Sequence, residues 1–292
     1  MTHIPVLTKE VLHYLDPKEN ENFIDCTIGE WGHTILILER NKPLGKVLGI
    51  DWDPNQIKNC RLKIKSGRLL LVNDSYCSIK EIIGRVKFGP VNGILLDLGY
   101  SSWQLEKSGR GFSFRRDEDL DMRYNTLQFL TAKTIVNEYP SEEIEKILKE
   151  YGEEKFARRI AQKISEDRKV GKIESTAQLV SIIKKAVPKE FQQGRIHCAT
   201  KTFQALRIAV NDELNNLTAV LPKMVSVLSP GGRIVIISFH SLEDRIAKLF
   251  FKEKEKEGNI KILTKKPQMP KVDELNKNPR ARSAKLRAFI KL

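Results

Sequence analysis

Residues 22–33 read Asn22-Phe23-Ile24-Asp25-Cys26-Thr27-Ile28-Gly29-Glu30-Trp31-Gly32-His33. A short apolar run ends in an acid, two glycines three apart follow, and a segment of helical length, 32–41, comes next. Similar apolar runs recur at 46–51, 69–73 and 93–98, with another helix-length segment at 54–64. Strands alternating with helices at a period of about 25 residues imply βαβ units and a parallel sheet. The next strand, 232–239, begins only about 130 residues later, too far for one crossover loop. A separate structural unit must fill the gap.

That gap reads as helix. Ile144, Ile147, Leu148 and Tyr151 share one face of 143–151, and Phe156, Ile160 and Ile164 continue the pattern through 153–168. Ser175 or Thr176 can cap a third helix, which Pro188 stops. A long helix over 202–228 carries Phe203, Leu206, Val210, Leu214, Leu217, Leu221, Met224 and Leu228 at 3–4 spacing, and Ser229-Pro230-Gly231-Gly232 turns it into the fifth strand. Runs at 260–264 and 284–290 are expected to pair antiparallel and finish the sheet. The expected chain is an α/β domain over 1–107, an all-helical insertion over 108–200, and a return to the first domain over 201–292.

The 292 residues, 40% hydrophobic, suffice for a sizeable core. No apolar run approaches the ~18–20 residues of a membrane span, and the first residues lack the pattern of a secretory signal. Cys26, Cys60, Cys77 and Cys198 are scattered with no CxxC pair, which argues against a zinc ribbon or disulfide framework. A soluble cytoplasmic protein is expected, with neither a metal nor a membrane partner. The net charge of +14 is uneven: residues 252–292 hold 13 basic and 5 acidic residues, whereas 108–200 hold 18 and 15. Alternating Lys and Glu at 252–256 suits a solvated face. The arginines of 278–287 suit phosphate, so a polyanion partner is expected there.

Ligands of open α/β sheets bind at the carboxyl ends of strands. Gly29 and Gly32 let backbone approach a ligand, and Asp51, 22 residues past Gly29, is placed to accept hydrogen bonds from ribose hydroxyls. An adenosine-containing cofactor follows. A dinucleotide would want Gly-x-Gly-x-x-Gly where this chain has Gly-x-x-Gly, so the reading favours S-adenosylmethionine, which has no phosphate to cradle. Asp97, followed by Leu98-Gly99-Tyr100-Ser101-Ser102-Trp103-Gln104, suits a flat base held against a methyl donor. A structural Asp capping the next turn fits the same pattern.

Eight further blocks carry a resemblance. They are His3-Ile4-Pro5-Val6-Leu7, Leu95-Leu96-Asp97-Leu98-Gly99, Arg110-Gly111-Phe112-Ser113-Phe114-Arg115 and Leu120-Asp121-Met122-Arg123. Tyr151-Gly152-Glu153-Glu154, Thr202-Phe203-Gln204-Ala205-Leu206-Arg207, Ile237-Ser238-Phe239-His240-Ser241-Leu242-Glu243-Asp244-Arg245 and Asn278-Pro279-Arg280-Ala281-Arg282-Ser283 complete the set. In content and order the chain resembles the bacterial small-subunit ribosomal RNA (cytosine-N4)-methyltransferase H family, also called MraW. The resemblance implies a Rossmann-like S-adenosylmethionine-dependent methyltransferase fold with an inserted all-helical domain. It also implies N4-methylation of one decoding-centre cytidine of 16S rRNA within the small ribosomal subunit. The family's cofactor contacts map onto Trp31, Gly32, His33, Asp51, Tyr76, Asp97 and Gln104. The family usually has glycine where Trp31 stands, leaving that residue only its backbone to offer, and its usual proline is Trp103 here.

Asp97 is the candidate acceptor for the amine proton, with cofactor binding as its alternative role. Tyr100 is a candidate stacking surface. Arg110, Phe112, Phe114, Arg115 and Arg123 mix guanidinium and aromatic groups as single-stranded RNA requires, although Phe112 and Phe114 equally suit anchoring of their loop. His240 is read as a contact to the target nucleotide or as a histidine bonded within its turn, and Arg280 and Arg282 as RNA contacts. A non-enzymatic RNA-binding protein remains a second reading. A DNA methyltransferase, a third, would show Asp-Pro-Pro-Tyr where this chain has Asp97-Leu98-Gly99-Tyr100.

Overall fold

Strand β1 (Phe23–Asp25) is three buried residues, and its pairing organises the sheet. The structure, a computed structural model, describes residues 4–192, 194 and 196–292; His3 of the first family block lies outside them. β1 runs parallel to β2 (Val47–Asp51) on one side and β4 (Val91–Asp97) on the other. β3 (Leu69–Asn73) extends the sheet beyond β2, and β5 (Leu228–Ser238) beyond β4, all parallel. β7 (Lys285–Lys291) enters antiparallel between β5 and β6 (Ile260–Ile262), giving the order β3-β2-β1-β4-β5-β7-β6. The antiparallel finish read from the sequence is therefore present. This is a Rossmann-like α/β fold.

Helix α1 (Thr8–Leu15) precedes β1, and α2 (Gly32–Arg40), α3 (Pro54–Lys63) and α4 (Ile79–Val86) link the first four strands. Helices α5 (Ser102–Lys107), α6 (Ala132–Glu138), α7 (Ser141–Gly152), α8 (Ala157–Asp167), α9 (Thr176–Ala186) and α10 (Thr200–Asn211) follow β4. Then α11 (Glu213–Val227) leads to β5, α12 (Ser241–Lys256) follows it, and α13 (Val272–Lys277) precedes β7. None of the described helices is long and apolar enough to cross a membrane.

The sheet is covered on both faces, which is why its strands read as unbroken apolar runs. Along β4, Ile94 and Leu96 join a cluster with Ile79, Ile82, Leu217, Leu221 and Phe251. The intervening Leu95 joins Leu7, Val11, Leu15 and Ile37 in another. Strand periodicity sends neighbours to opposite layers.

The chain forms two compact units, one up to Gly99 and again from Leu214, the other Tyr100–Glu213. The sequence reading put these boundaries at 107/108 and 200/201. The difference lies in the long helix. Asp212 takes a left-handed φ of 50° and ends α10, so the single helix expected over 202–228 is two. Its one apolar stripe serves two cores: Phe203, Leu206 and Val210 pack with Ile144, Leu148, Ile160 and Ile183 of the helical unit. Leu217, Leu221 and Met224 pack on the sheet. β5 also begins earlier than expected, because Val91 pairs with Leu228 and the register then shifts, so that Gly93 pairs with Arg233.

Candidate cofactor and methyl-transfer site

Three adjacent parallel strands, β2, β1 and β4, each end in an aspartate: Asp51, Asp25 and Asp97. Asp25 is buried; its Oδ2 accepts the Thr34 hydroxyl at 2.6 Å and its Oδ1 the Thr27 N–H at 3.2 Å. Thr27 Oγ1 in turn accepts the Asp97 N–H at 2.8 Å. The first strand's acid thus fixes both the turn after β1 and the end of β4. Burial raises the Asp25 carboxyl against those hydrogen bonds.

Asp51 accepts the Gly29 N–H on Oδ2 and the Asp53 N–H on Oδ1, both at 2.9 Å. Desolvation nevertheless dominates and lifts its carboxyl to about 7, with the charges of Asp53 and Asp25 adding to the rise. Each oxygen retains a lone pair beyond its backbone donor.

Beside β4, Asp97 Oδ2 lies 3.6 Å from His33 Nε2, outside hydrogen-bond range. Asp97 Oδ1 and both ring nitrogens of the buried His33 have no hydrogen-bond partner among the described residues. Unsatisfied buried polar atoms are rare in folded proteins and expensive. Three of them here mark a place built for polar contact with something other than this chain. No lysine or arginine pairs with Asp25, Asp51 or Asp97 among the described residues. With no lysine or arginine to meet a pyrophosphate, the three acids suit a ligand that carries positive charge and donates from hydroxyls. The donor set fits S-adenosylmethionine better than a dinucleotide.

Trp31 takes a φ of 56°, the left-handed region that glycine enters freely. Its indole packs on the Ile28, Ile57 and Cys60 cluster. Gly32 also has a packing reason to be glycine: a Cβ there would lie 2.7 Å from the Pro5 ring. Tyr76, just past β3, is partly buried on the core.

Several sequence-predicted residues carry structural work. Gln104 is buried and closes the capping box of α5, its Oε1 accepting the Ser101 N–H at 2.9 Å. His240 is the N-cap of α12, its Nδ1 3.5 Å from the Glu243 N–H and its Nε2 3.1 Å from that residue's carboxylate. The turn-bonded alternative is thus present through Nδ1, while Nε2 has no hydrogen-bond partner among the described residues. Arg110 is buried and donates to the Arg123 and Tyr124 carbonyls at 2.8 and 2.9 Å. Arg123 makes a two-pronged pair with Asp121 at 2.8 and 2.7 Å. Both guanidiniums brace their own loop. Phe112 is buried and stacks on Tyr124, with centroids 5.5 Å apart.

Tyr100 is 41% exposed, with the Arg207 guanidinium 5.0 Å from its ring centroid. Arg207 is itself held by Glu213 at 2.8 and 2.9 Å, and Asn211 anchors the Met122 carbonyl. The ring is exposed on a rigid support. Arg115, Arg280 and Arg282 are exposed.

The sequence reading passed over Asp25 and Thr27. Asp25 ends an apolar strand as Asp51 and Asp97 do, so that shared position was the available signal.

The sequence matches the MraW methylase family along residues 1–292. It is 48% identical over 292 residues to the ribosomal RNA small subunit methyltransferase H of Kosmotoga olearia, spanning 98% of this chain and 96% of that protein. Identity to the protein of that name from Sulfurihydrogenibium azorense is 47% over 292 residues, covering 99% of each. For Heliobacterium modesticaldum it is 44% over 308 residues, covering 99% and 98%.

Proposed function

This chain belongs to the MraW methylase family, and from that premise we propose that it methylates N4 of one decoding-centre cytidine of 16S rRNA, using S-adenosylmethionine. The small ribosomal subunit is its partner and the cytoplasm its compartment. The names of its relatives support small-subunit rRNA as the substrate. The observation that carries the chemistry is the unpartnered Asp97 Oδ1 beside the unpartnered His33 nitrogens.

S-adenosylmethionine, when bound, supplies a methyl group on positively charged sulfur. Asp51 is assigned the ribose hydroxyls, and Trp31 and Gly32 contribute backbone. Tyr76 lines the site from the end of β3. The cytidine amine is a poor nucleophile because its lone pair is delocalised into the ring. Asp97 Oδ1 accepts a hydrogen bond from that amine, returns electron density to nitrogen, and takes up the proton as nitrogen becomes cationic. His33 Nε2 lies 3.6 Å from the carboxylate's other oxygen. Tyr100 offers a ring for the target base to stack on. No thiolate is required, since attack through an exocyclic nitrogen forms no adduct with the ring.

The test supplies labelled cofactor with small subunits and, separately, with naked rRNA, then digests the product to nucleosides. Label in N4-methylated cytidine is expected. Label in a ring-methylated base, or none, overturns the reading.

A further inference from the structure

A groove of about 820 Å³ lies within the helical unit, between residues 114–117, the second half of α9, and the segment that follows it. Five cations line it: Arg115, Arg116, Lys184, Lys185 and Lys189. Its single acid, Asp117, accepts the Ala177 N–H at 3.1 Å and bonds the Ser175 side chain, which holds its carboxyl low and ties it to the start of α9. Lys185 is 3.6 Å from Asp167, a carboxylate already shared with Lys163 at 2.8 Å. Arg116 donates to the Glu106 carbonyl. Arg115, Lys184 and Lys189 are exposed and pair with no carboxylate among the described residues. Phe114, Val180 and Val187 are also among the lining residues.

Two lysines in the last turn of α9 are accounted for by the negative end of the helix. That explanation does not reach Arg115 and Arg116, on a separate segment, or Lys189, beyond the helix. Arg115 and Lys189 have no such role in the fold among the described residues, yet they join the other three cations at the groove. Like charges drawn together repel one another, and an anionic ligand relieves that repulsion. A groove lined by five cations and one already-bonded acid suits the phosphates of a nucleic-acid strand.

We propose that this groove binds the phosphate backbone of the rRNA substrate, as a docking site additional to the one that receives the methylated cytidine. The inference rests on the reading of the substrate as RNA. It places sequence-independent affinity on the helical unit, which in this view holds the substrate while the sheet unit performs the chemistry.

The test compares full-length protein with the triple variant Lys184→Gln/Lys185→Gln/Lys189→Gln, using small subunits and a 16S rRNA fragment across a salt series. The slope of log affinity against log salt should fall by about 0.7–0.9 for each lysine that meets a phosphate. KM for RNA should rise roughly tenfold at 150 mM salt with kcat at saturating RNA unchanged. Replacement by arginine at the same three positions should restore the slope. If wild type binds RNA and the triple variant is indistinguishable, the groove proposal falls alone. If wild type binds no RNA, the functional reading falls and takes this one with it. If the variant keeps RNA affinity but loses binding to polyglutamate, the groove receives a protein and the proposal is overturned.

Discussion

Asp51 and Asp97 occupy equivalent places, each the last residue of a parallel strand, yet their surroundings give them different work. Asp51 meets two backbone N–H groups and little water, and its carboxyl rises to about 7. Ribose hydroxyls donate to a carboxylate, so the bound form favours the charged state. Cofactor affinity should therefore increase as pH rises from about 6 to 8, with proton release on binding near the lower end. Calorimetry in buffers of different ionisation enthalpy measures that release, and Asp51→Asn should abolish its share. Folding stability runs the other way: the native state binds more protons between 3.8 and about 7, so Asp51's contribution is lost as pH rises through that window. Asp97 has an oxygen free of protein partners, and Asp97→Asn should lower single-turnover methylation by about 10²–10⁴ while cofactor affinity stays within a few-fold. Full turnover would return Asp97 to a structural role. Both acids were legible because a charged residue closing an apolar run is conspicuous. Asp25 does the same but was read only as part of the turn, since its partners Thr27 and Thr34 are ordinary hydroxyls in sequence. At Gly32 only the fold reveals the additional packing constraint from Pro5.

At the scale of elements, the sequence pattern located the strands and left the breaks obscure. The 3–4 stripe from Phe203 to Leu228 is continuous, and periodicity cannot say that its two halves face different cores. Asp212, which adopts φ 50°, is an ordinary residue in sequence. Capping was harder still, because His240 and Gln104 belong to specific blocks and drew functional readings, while their side chains close helix ends. His240→Ala should cost about 1 kcal/mol of stability, the usual loss for an N-cap. His240→Asn, a good cap, should recover it, and should keep methylation within about twofold of wild type if capping is all the histidine does. Thermal unfolding and kcat/KM measured on both variants decide this; stable His240→Asn protein with little activity would restore the nucleotide contact. Gly152 marks a second constraint, where α7 meets α10 so closely that a Cβ would lie 2.6 Å from the Lys201 carbonyl. Gly152→Ala should lower stability by about 1–3 kcal/mol in denaturant unfolding through overpacking.

Over the whole molecule, the +14 net charge announces a polyanion partner, but counting cannot tell which cations remain available for one. Residues 252–292 carry much of the positive charge, and the strands expected within them are part of the sheet, so some of their cations serve the fold. Lys291 donates to the Val225 and Leu228 carbonyls at 2.9 and 2.6 Å, tying β7 to the end of α11. Arg287 is nearly buried in β7 and pairs with Asp244 of α12 at 2.6 and 3.2 Å. Arg280 and Arg282 lie outside the strand and are exposed. The three arginines, alike in sequence, should therefore separate cleanly in experiment. Arg287→Ala leaves the Asp244 carboxylate without its main partner in a poorly hydrated place, and should cost about 3–5 kcal/mol in urea unfolding. Its RNA affinity, measured on the fraction that remains folded, should show an unchanged salt slope. Arg280→Ala/Arg282→Ala should act chiefly on RNA binding, reducing the slope of log affinity against log salt by about 0.7–0.9 for each arginine that meets a phosphate. If Arg287→Ala flattens the slope while keeping its stability, the pair with Asp244 is not what holds that arginine. If the double variant keeps the full slope, the segment before β7 takes no phosphate, and the RNA-binding charge must reside on the helical unit.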